Sequence, residues 1–149
     1  MPCPIRLMSA AIVALGGPLG CSAGTAEPEA QLRVTTGRAV YSLASDVFAT
    51  TVLLNVGPGP VYAPMNEYVY VERFESGRWQ DRRPWFVVDG VGISFPILPG
   101  DSLAEAMDFR YVNRRAGIYR FLFEVAYDSL GRRLVPEDRR ASPPFELRP

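Results

Sequence analysis

The residues that most often carry covalent or metal chemistry are scarce in this chain. Its 149 residues include two Cys and no His, and all 16 of its basic residues are Arg. A Ser or Cys nucleophile of the usual kind needs a neighbouring base such as His or Lys. His is also the commonest ligand of transition metals. The composition therefore excludes most hydrolase triads and zinc centres, and it predicts a protein that is not an enzyme and carries no metal or cofactor.

Carboxylates leave one enzymatic alternative open. A glycosidase needs only a carboxylic acid and a carboxylate beside the bond that it cleaves, and Glu67, Glu72, Asp89 and Asp108 supply such groups. The sequence brings no two of them together, and most carboxylates in proteins are solvated at the surface. We therefore rank a glycan hydrolase below a binding protein.

Arginine doublets are the main candidates for a binding surface. They occur at positions 82–83, 114–115, 132–133 and 139–140, all in segments that we expect to be loops. A guanidinium group can bind a carboxylate or a phosphate through two parallel hydrogen bonds. If the doublets converge at one end of the domain, Arg82, Arg83, Arg114 and Arg115 would form a site for such groups. The alternative is that each doublet lies in a solvated loop.

Two tryptophans flank the arginine doublet at 82–83, and we expect them to lie in different environments. Trp79 follows a turn at the start of an expected strand, and we expect it to lie in the core. Trp85 is the better candidate for a surface contact with carbohydrate or protein, because an exposed indole offers both an apolar face and a polar edge.

The first 20 residues predict a cleaved signal peptide. Arg6 is their only charged side chain, and residues 7–19 form an uncharged, mostly apolar run of suitable length. A membrane-spanning helix needs about 20 apolar residues, and this run is shorter and interrupted by Gly16, Gly17 and Pro18. The sequence therefore predicts export.

Gly20-Cys21 resembles the lipobox of bacterial lipoproteins, in which a small residue precedes a Cys that is acylated before cleavage. The resemblance implies a lipid on Cys21, a flexible tether at 21–30, and attachment to the outer membrane or the cell surface. Cys3 would leave with the signal, so Cys21 would have no partner thiol. Ordinary cleavage after Ala26, which would release a periplasmic or secreted protein, is the alternative. A Cys3–Cys21 disulfide would require the signal to be retained.

Residues 31–149 predict one all-β domain. The formal net charge of the chain is +0, which provides no bulk attraction to nucleic acid. Short runs of β-forming residues alternate with Gly, Pro and Asp, without sustained helical periodicity. About seven strands at this spacing are typical of a two-sheet sandwich. The predicted strand segments are 32–43 with a break near Gly37, 47–55, 67–74, 78–81, 93–98, 103–109, 118–127 and 145–148.

The segment beginning at position 118 has the clearest alternation. Tyr119, Phe121 and Phe123 fall on one face, whereas Arg120 and Glu124 fall on the other. This pattern predicts a strand with one face buried against a second sheet. The position of Tyr119 near the start of its strand is similar to the tyrosine corner of β-sandwiches, where the hydroxyl bonds to the backbone.

Four motifs resemble a known family. They are 71–79 (VERFESGRW), 97–102 (ILPGDS), 116–120 (AGIYR) and 142–147 (SPPFEL). Together they make the segment from Tyr70 to Leu147 resemble bacterial immunoglobulin-like domains of secreted and lipid-anchored proteins. The resemblance implies a sandwich that displays or binds something at the cell surface, and it implies no shared active site.

The leading hypothesis is a non-enzymatic cell-envelope lipoprotein whose immunoglobulin-like module binds an envelope protein or glycan, with the membrane as a partner through the lipid. The first alternative is a periplasmic or secreted accessory subunit or protease inhibitor, which would insert the 82–92 loop into its target. The carboxylate hydrolase is the second alternative.

Overall fold

The computed structural model describes residues 31–65, 68–84 and 93–149. These residues confirm the all-β prediction, because their only helical elements are a 3-10 turn (Phe109–Val112) and a one-turn helix, α1 (Glu137–Arg140). The strands are β1 (Leu32–Thr36), β2 (Val40–Ser42), β3 (Phe48–Asn55), β4 (Val61–Pro64), β5 (Val69–Glu75), β6 (Arg78–Pro84), β7 (Ser94–Ile97), β8 (Ser102–Asp108), β9 (Gly117–Phe123) and β10 (Phe145–Arg148).

The described strands form three sheets, where the sequence predicted two. One sheet has the order β1-β3-β8, a second has the order β2-β10-β9-β5-β6, and β4 pairs with β7 in a third. All pairings are antiparallel except that between β2 and β10. β3 is the central strand of its sheet, because it lies between β1 and β8.

The predicted break near Gly37 transfers the chain from one sheet to another. β1 pairs with β3, whereas β2 pairs with β10 in the five-stranded sheet. The Gly37 amide donates to the Thr50 carbonyl at 2.9 Å, and a Cβ at this position would collide with Thr50 Oγ1. A residue without a side chain is therefore needed where the chain leaves the first sheet.

The core confirms the alternation predicted for β9. Tyr119, Phe121, Phe123, Phe145 and Leu147 are all buried, and the Phe121 and Phe145 rings stack with centroids 5.1 Å apart. The three-stranded sheet contributes Ala49, Leu53 and Met107 to the same cluster. Burial of this many large apolar side chains is the main favourable term in folding.

A tight hairpin joins β5 to β6 at the turn that the sequence predicted before Trp79. Ser76 and Gly77 both have positive φ, at 52° and 80°, which is the conformation of a two-residue turn that matches the strand twist. A bulge follows, where Asp81 takes a φ of 57° and the register shifts opposite Glu72. Arg82 and Arg83 therefore lie in a strand, and their predicted placement in a loop is wrong.

The Pro99-Gly100 turn connects two sheets. Gly100 has a φ of 88°, and the Asp101 amide closes the turn on the Leu98 carbonyl at 2.9 Å. β7, before the turn, pairs with β4, and β8, after it, pairs with β3. Pro96 lies in β7, which is an edge strand of its small sheet, and an edge strand tolerates a residue without an amide donor.

The connection from β9 to β10 runs back along the five-stranded sheet. Arg140, buried, donates from Nε to the Val135 carbonyl at 2.9 Å and from Nη1 to the Phe123 carbonyl at 2.8 Å. Leu122 is also fully buried, although it lies on the face opposite Phe121. The outer face of β9 is therefore largely covered, where the sequence predicted exposure. In the part of the chain that the structure describes, no helix is long and apolar enough to cross a bilayer.

Candidate functional site

Three arginines from separate parts of the sequence meet at a small cavity. Arg73 comes from β5, Arg83 from β6, and Arg115 from the loop between the 3-10 turn and β9. The cavity, which we call the arginine cavity, has a volume of about 50 Å³. The remaining residues that line it are Val71, Asp81, Val112, Asn113 and Tyr119.

Arg73 is the innermost of the three. It lies opposite Tyr119 in the register with β9, and its side chain is only 15% exposed. Nη1 bonds to the Glu75 carboxylate, and Nη2 donates to the Ala116 carbonyl at 3.1 Å. Nε is buried without a partner among the described residues. A buried donor left without an acceptor carries a free-energy cost. The Nε–H group of Arg73 therefore still has an unused hydrogen bond to donate.

Gly117 gives Arg73 its space. A Cβ at position 117 would lie 2.7 Å from Arg73 Nε, and Gly117 has a φ of 154°. This close approach of backbone to guanidinium gives a physical reason for the Gly at the start of β9.

Arg83 reaches the cavity because of the bulge in β6. Its Nε and Nη2 both lie 2.9 Å from Asp81 Oδ1. Both side chains remain about half exposed, at 48% for Arg83 and 43% for Asp81. This ion pair is therefore at the surface, where solvent screens it and an incoming anion can compete with Asp81.

Arg115 is positioned by a tightly bonded loop. Asn113 and Arg114 both have left-handed φ values, 54° and 49°. The Tyr119 hydroxyl donates to the Arg115 carbonyl at 2.7 Å, which is the backbone bond predicted for a tyrosine corner. The Arg115 side chain is 61% exposed and places Nη2 3.1 Å from Glu75 Oε1.

Burial raises the pKa of the Tyr119 hydroxyl above its usual value of 10.0, although the nearby charges of Arg73 and Arg115 act in the opposite direction. The hydroxyl therefore remains protonated at neutral pH. It can serve as a permanent donor to the Arg115 carbonyl.

The charges at the site do not cancel. Three guanidinium groups face two carboxylates, those of Glu75 and Asp81. One formal positive charge is left over, in a cavity that also has apolar walls from Val71 and Val112. Such an arrangement can hold one anionic group and its attached carbon atoms.

The doublet partners of Arg83 and Arg115, which are Arg82 and Arg114, point away from the arginine cavity. Arg82 lies on the opposite face of the sheet, with its Nη2 2.6 Å from Glu124 Oε2 and its guanidinium 4.4 Å from the centre of the Tyr70 ring. Arg114 donates to the Leu43 carbonyl. Successive side chains of a strand point to opposite faces, so a doublet in β6 cannot send both guanidinium groups to one site.

The two later doublets stay away from the cavity. Arg133 packs over the Tyr127 ring with its Cζ 4.8 Å from the ring centre, and Arg140 is buried against backbone carbonyls. The convergence of the doublets is therefore limited to Arg83 and Arg115. Arg73, which belongs to no doublet and was not among the predicted site residues, is the centre of the site. The sequence feature that could have identified Arg73 is its position two residues after Val71, which places a charged side chain on the core-facing side of the strand.

Trp79 lies outside the core, so its predicted place there is wrong. It is half-buried on the outer face of the five-stranded sheet. The Phe74 ring packs against the Trp79 ring with centroids 5.2 Å apart, and the Arg120 guanidinium lies 4.5 Å from the centre of the Trp79 ring. The β5–β6 turn sets this orientation, because Trp79 pairs with Phe74 in the register.

The carboxylates proposed for hydrolysis have other partners. Glu72 pairs with Arg120 at 2.6 Å, and Asp108 accepts from the Arg110 backbone amide at 2.8 Å. The Arg110 side-chain hydrogen bond also lowers the pKa of Asp108. Among the described residues, no group of three or more acidic, His or Cys side chains is placed to hold a metal ion. Glu67 and Asp89, with Cys21 and Trp85, lie outside the described residues.

No family model and no curated protein matches the sequence. One similar solved structure is the alkylpurine DNA glycosylase AlkC of Pseudomonas fluorescens bound to DNA containing an abasic site analog, at 15% sequence identity and a TM-score of 0.46. The similarity covers 83% of this chain and 32% of the glycosylase chain, so the chain spans about a third of that protein's length.

Proposed function

We propose that this chain is an exported, non-enzymatic binding module of the cell envelope, whose arginine cavity holds an anionic group of an envelope protein or glycan. The observation that carries the proposal is the meeting of Arg73, Arg83 and Arg115 at one small cavity with an excess positive charge. Among the described residues, no group of three or more acidic, His or Cys side chains accompanies them that could hold a metal ion. The chemistry that the site offers is recognition.

Three features of the fold support an immunoglobulin-like sandwich for the module. The chain passes from one sheet to the other between β1 and β2. The last strand, β10, pairs in parallel with β2. Tyr119 makes the tyrosine-corner bond at the start of β9. In such domains the connecting loops and edge strands are the usual binding surfaces.

The proposed location rests on the first 30 residues. Residues 1–20 carry the features of a signal peptide, and Cys21 stands where a lipid would be attached. In this proposal the lipid and the tether at 21–30 hold the domain close to the membrane, where its ligand lies on an envelope polymer or a neighbouring protein.

The test compares two double variants of the full chain for binding to isolated bacterial envelope fractions. Arg83→Gln with Arg115→Gln removes two charges from the cavity. Arg82→Gln with Arg114→Gln removes the same charge from the same doublets but outside the cavity. We expect the first pair to weaken binding by about tenfold or more, since hydrogen bonds to charged groups contribute roughly 1.5–3 kcal/mol each.

The matched pair should bind as the native protein does. Added salt should weaken native binding, because the interaction is electrostatic. Equal binding by the two double variants, or binding insensitive to both, would contradict the proposed role of the cavity.

A further inference from the structure

We infer that the arginine cavity selects a single carboxylate group over a phosphate group. This inference rests on the proposed function and names the ligand class of the same site. A carboxylate of this kind occurs at the C-terminus of a peptide and on an acidic sugar, and the experiment below separates these two sources.

The size of the cavity suits a small group. Its volume of about 50 Å³ is enough for roughly four water-sized positions, since one water needs about 10–15 Å³ of such space. A carboxylate group with the carbon that bears it fills a comparable number of positions. A whole sugar ring or side chain would have to remain outside.

The charge of the site decides between carboxylate and phosphate. Glu75 and Asp81 already occupy part of the capacity of the three arginines, which leaves one positive charge. A carboxylate carries one negative charge and would bring the site to neutrality. A phosphate monoester carries about 1.5 to 2 negative charges at pH 7 and would repel both resident carboxylates.

The available donors match a planar ligand. The described ionic contact of Arg115 uses only Nη2, so its remaining N–H groups can turn to an incoming group. Two N–H groups of one guanidinium fit the two oxygens of a carboxylate in parallel. Arg83 can assist by exchanging Asp81 for the ligand, because that ion pair is about half exposed.

The experiment titrates the full chain, at constant ionic strength and neutral pH, with four probes followed by NMR chemical shifts. N-acetyl-alanyl-alanine supplies a peptide carboxylate, and its C-terminal amide is the neutral control. Glucuronate supplies an acidic sugar, and inorganic phosphate tests the competing anion. We expect one or both carboxylates to bind more tightly than phosphate, and the amide to bind at least tenfold more weakly than its acid.

Three variants make the test specific. Arg115→Gln should weaken carboxylate binding by about tenfold or more, whereas Arg114→Gln should not. Asp81→Asn should raise phosphate affinity relative to carboxylate, because it adds one positive charge to the site. Asn suits this position, since it tolerates the left-handed backbone of residue 81.

Binding of the peptide acid or of glucuronate identifies the source, and either outcome supports the inference. Phosphate that binds the native chain as tightly as the carboxylates would overturn the choice of ligand class and leave the proposed function standing. If Arg115→Gln and Asp81→Asn change no affinity, the cavity is not the binding site, and the inference fails together with the proposed role of the cavity.

Discussion

Tyr119 shows how one side chain links the core to the arginine cavity. Its ring is buried and packs beside the Phe145 ring, with the two ring centroids 6.0 Å apart. Its hydroxyl reaches the Arg115 carbonyl at 2.7 Å and fixes the loop from which the Arg115 side chain extends. The same residue therefore stabilises the fold and limits the positions that the Arg115 guanidinium can take.

Tyr119→Phe removes this hydroxyl and leaves the ring in place. We expect the free energy of unfolding to fall by about 1 kcal/mol, the usual net contribution of such a hydrogen bond, and carboxylate binding to weaken. Denaturant unfolding and the NMR titration measure the two effects. Tyr127→Phe is the control, because the Tyr127 hydroxyl has no hydrogen bond to a described residue while its ring supports Arg133. Equal losses of stability and of carboxylate binding in both variants would contradict the role of the tyrosine corner.

The pairing of β5 with β9 places a charged network on the outer face of the five-stranded sheet. Glu72 and Arg120 are opposite in the register and pair at 2.6 Å, with side chains that are only 8% and 11% exposed. Arg120 also contacts Glu137 at the start of α1 and lies under the Trp79 ring. The network thereby ties the connection between β9 and β10 to the sheet.

Arg120→Met leaves the Glu72 charge buried with its described ionic partner removed. We expect the free energy of unfolding to fall by about 3–5 kcal/mol, because the cost of an uncompensated buried charge is large. Adding Glu72→Gln should recover part of this loss, which a double-mutant cycle by denaturant unfolding would reveal. Arg148→Met is the matched control, since its pair with Glu146 is exposed, and it should change stability far less. Additivity of the Arg120 and Glu72 changes would contradict a coupled buried pair.

Three surface carboxylates make the stability of the whole domain depend on acid pH. Hydrogen bonds from Arg38, Arg110 and Arg148 are the main cause that lowers the pKa values of Asp46, Asp108 and Glu146 respectively. The unfolded chain, in which these contacts are absent, therefore binds more protons in acid. Each contribution is present above the ordinary pKa, 3.8 for Asp and 4.5 for Glu, and is lost as pH falls through the lowered value.

We therefore expect the thermal unfolding midpoint to fall as the pH is lowered from about 5 toward 2. Asp46→Asn should flatten part of this dependence, because it removes the group whose pKa is lowered by Arg38 and by the Ser42 amide. Calorimetry of both proteins across this range checks the prediction. An unchanged acid dependence in the variant would argue against a contribution from Asp46.

At the level of the whole molecule, the proposed attachment to a membrane depends on Cys21. Cys21→Ser removes the thiol that would accept a lipid and leaves the predicted signal peptide largely intact. On expression in a bacterial host, we expect the native protein in the membrane fraction and the variant in the soluble exported fraction, as fractionation and mass spectrometry would show. Cys3→Ser is the control and should leave the distribution unchanged. A native protein without an added lipid mass would contradict the lipid anchor.

Local patterns in the sequence were sufficient to predict much of the fold. The alternation from Tyr119 to Phe123 identified the buried face of β9, and the turn expected before Trp79 is the hairpin at Ser76-Gly77. Both could be predicted because side-chain direction and turn geometry depend on neighbouring residues. The absence of His and Lys limits the available chemistry through composition alone. The predicted signal and lipid site also belong to the sequence, since they lie in residues 1–30, outside the described part of the chain.

The arginine cavity was decided by tertiary structure. Arg73 and Arg115 are far apart in the chain, and they meet because β5 pairs with β9 and the tyrosine corner folds the preceding loop back over the sheet. The bulge at Asp81 then determines that Arg83, and not Arg82, faces the cavity. Sequence alone identified arginines capable of binding an anion. Strand register selected which of them converge, because register depends on pairing partners that are distant in the sequence.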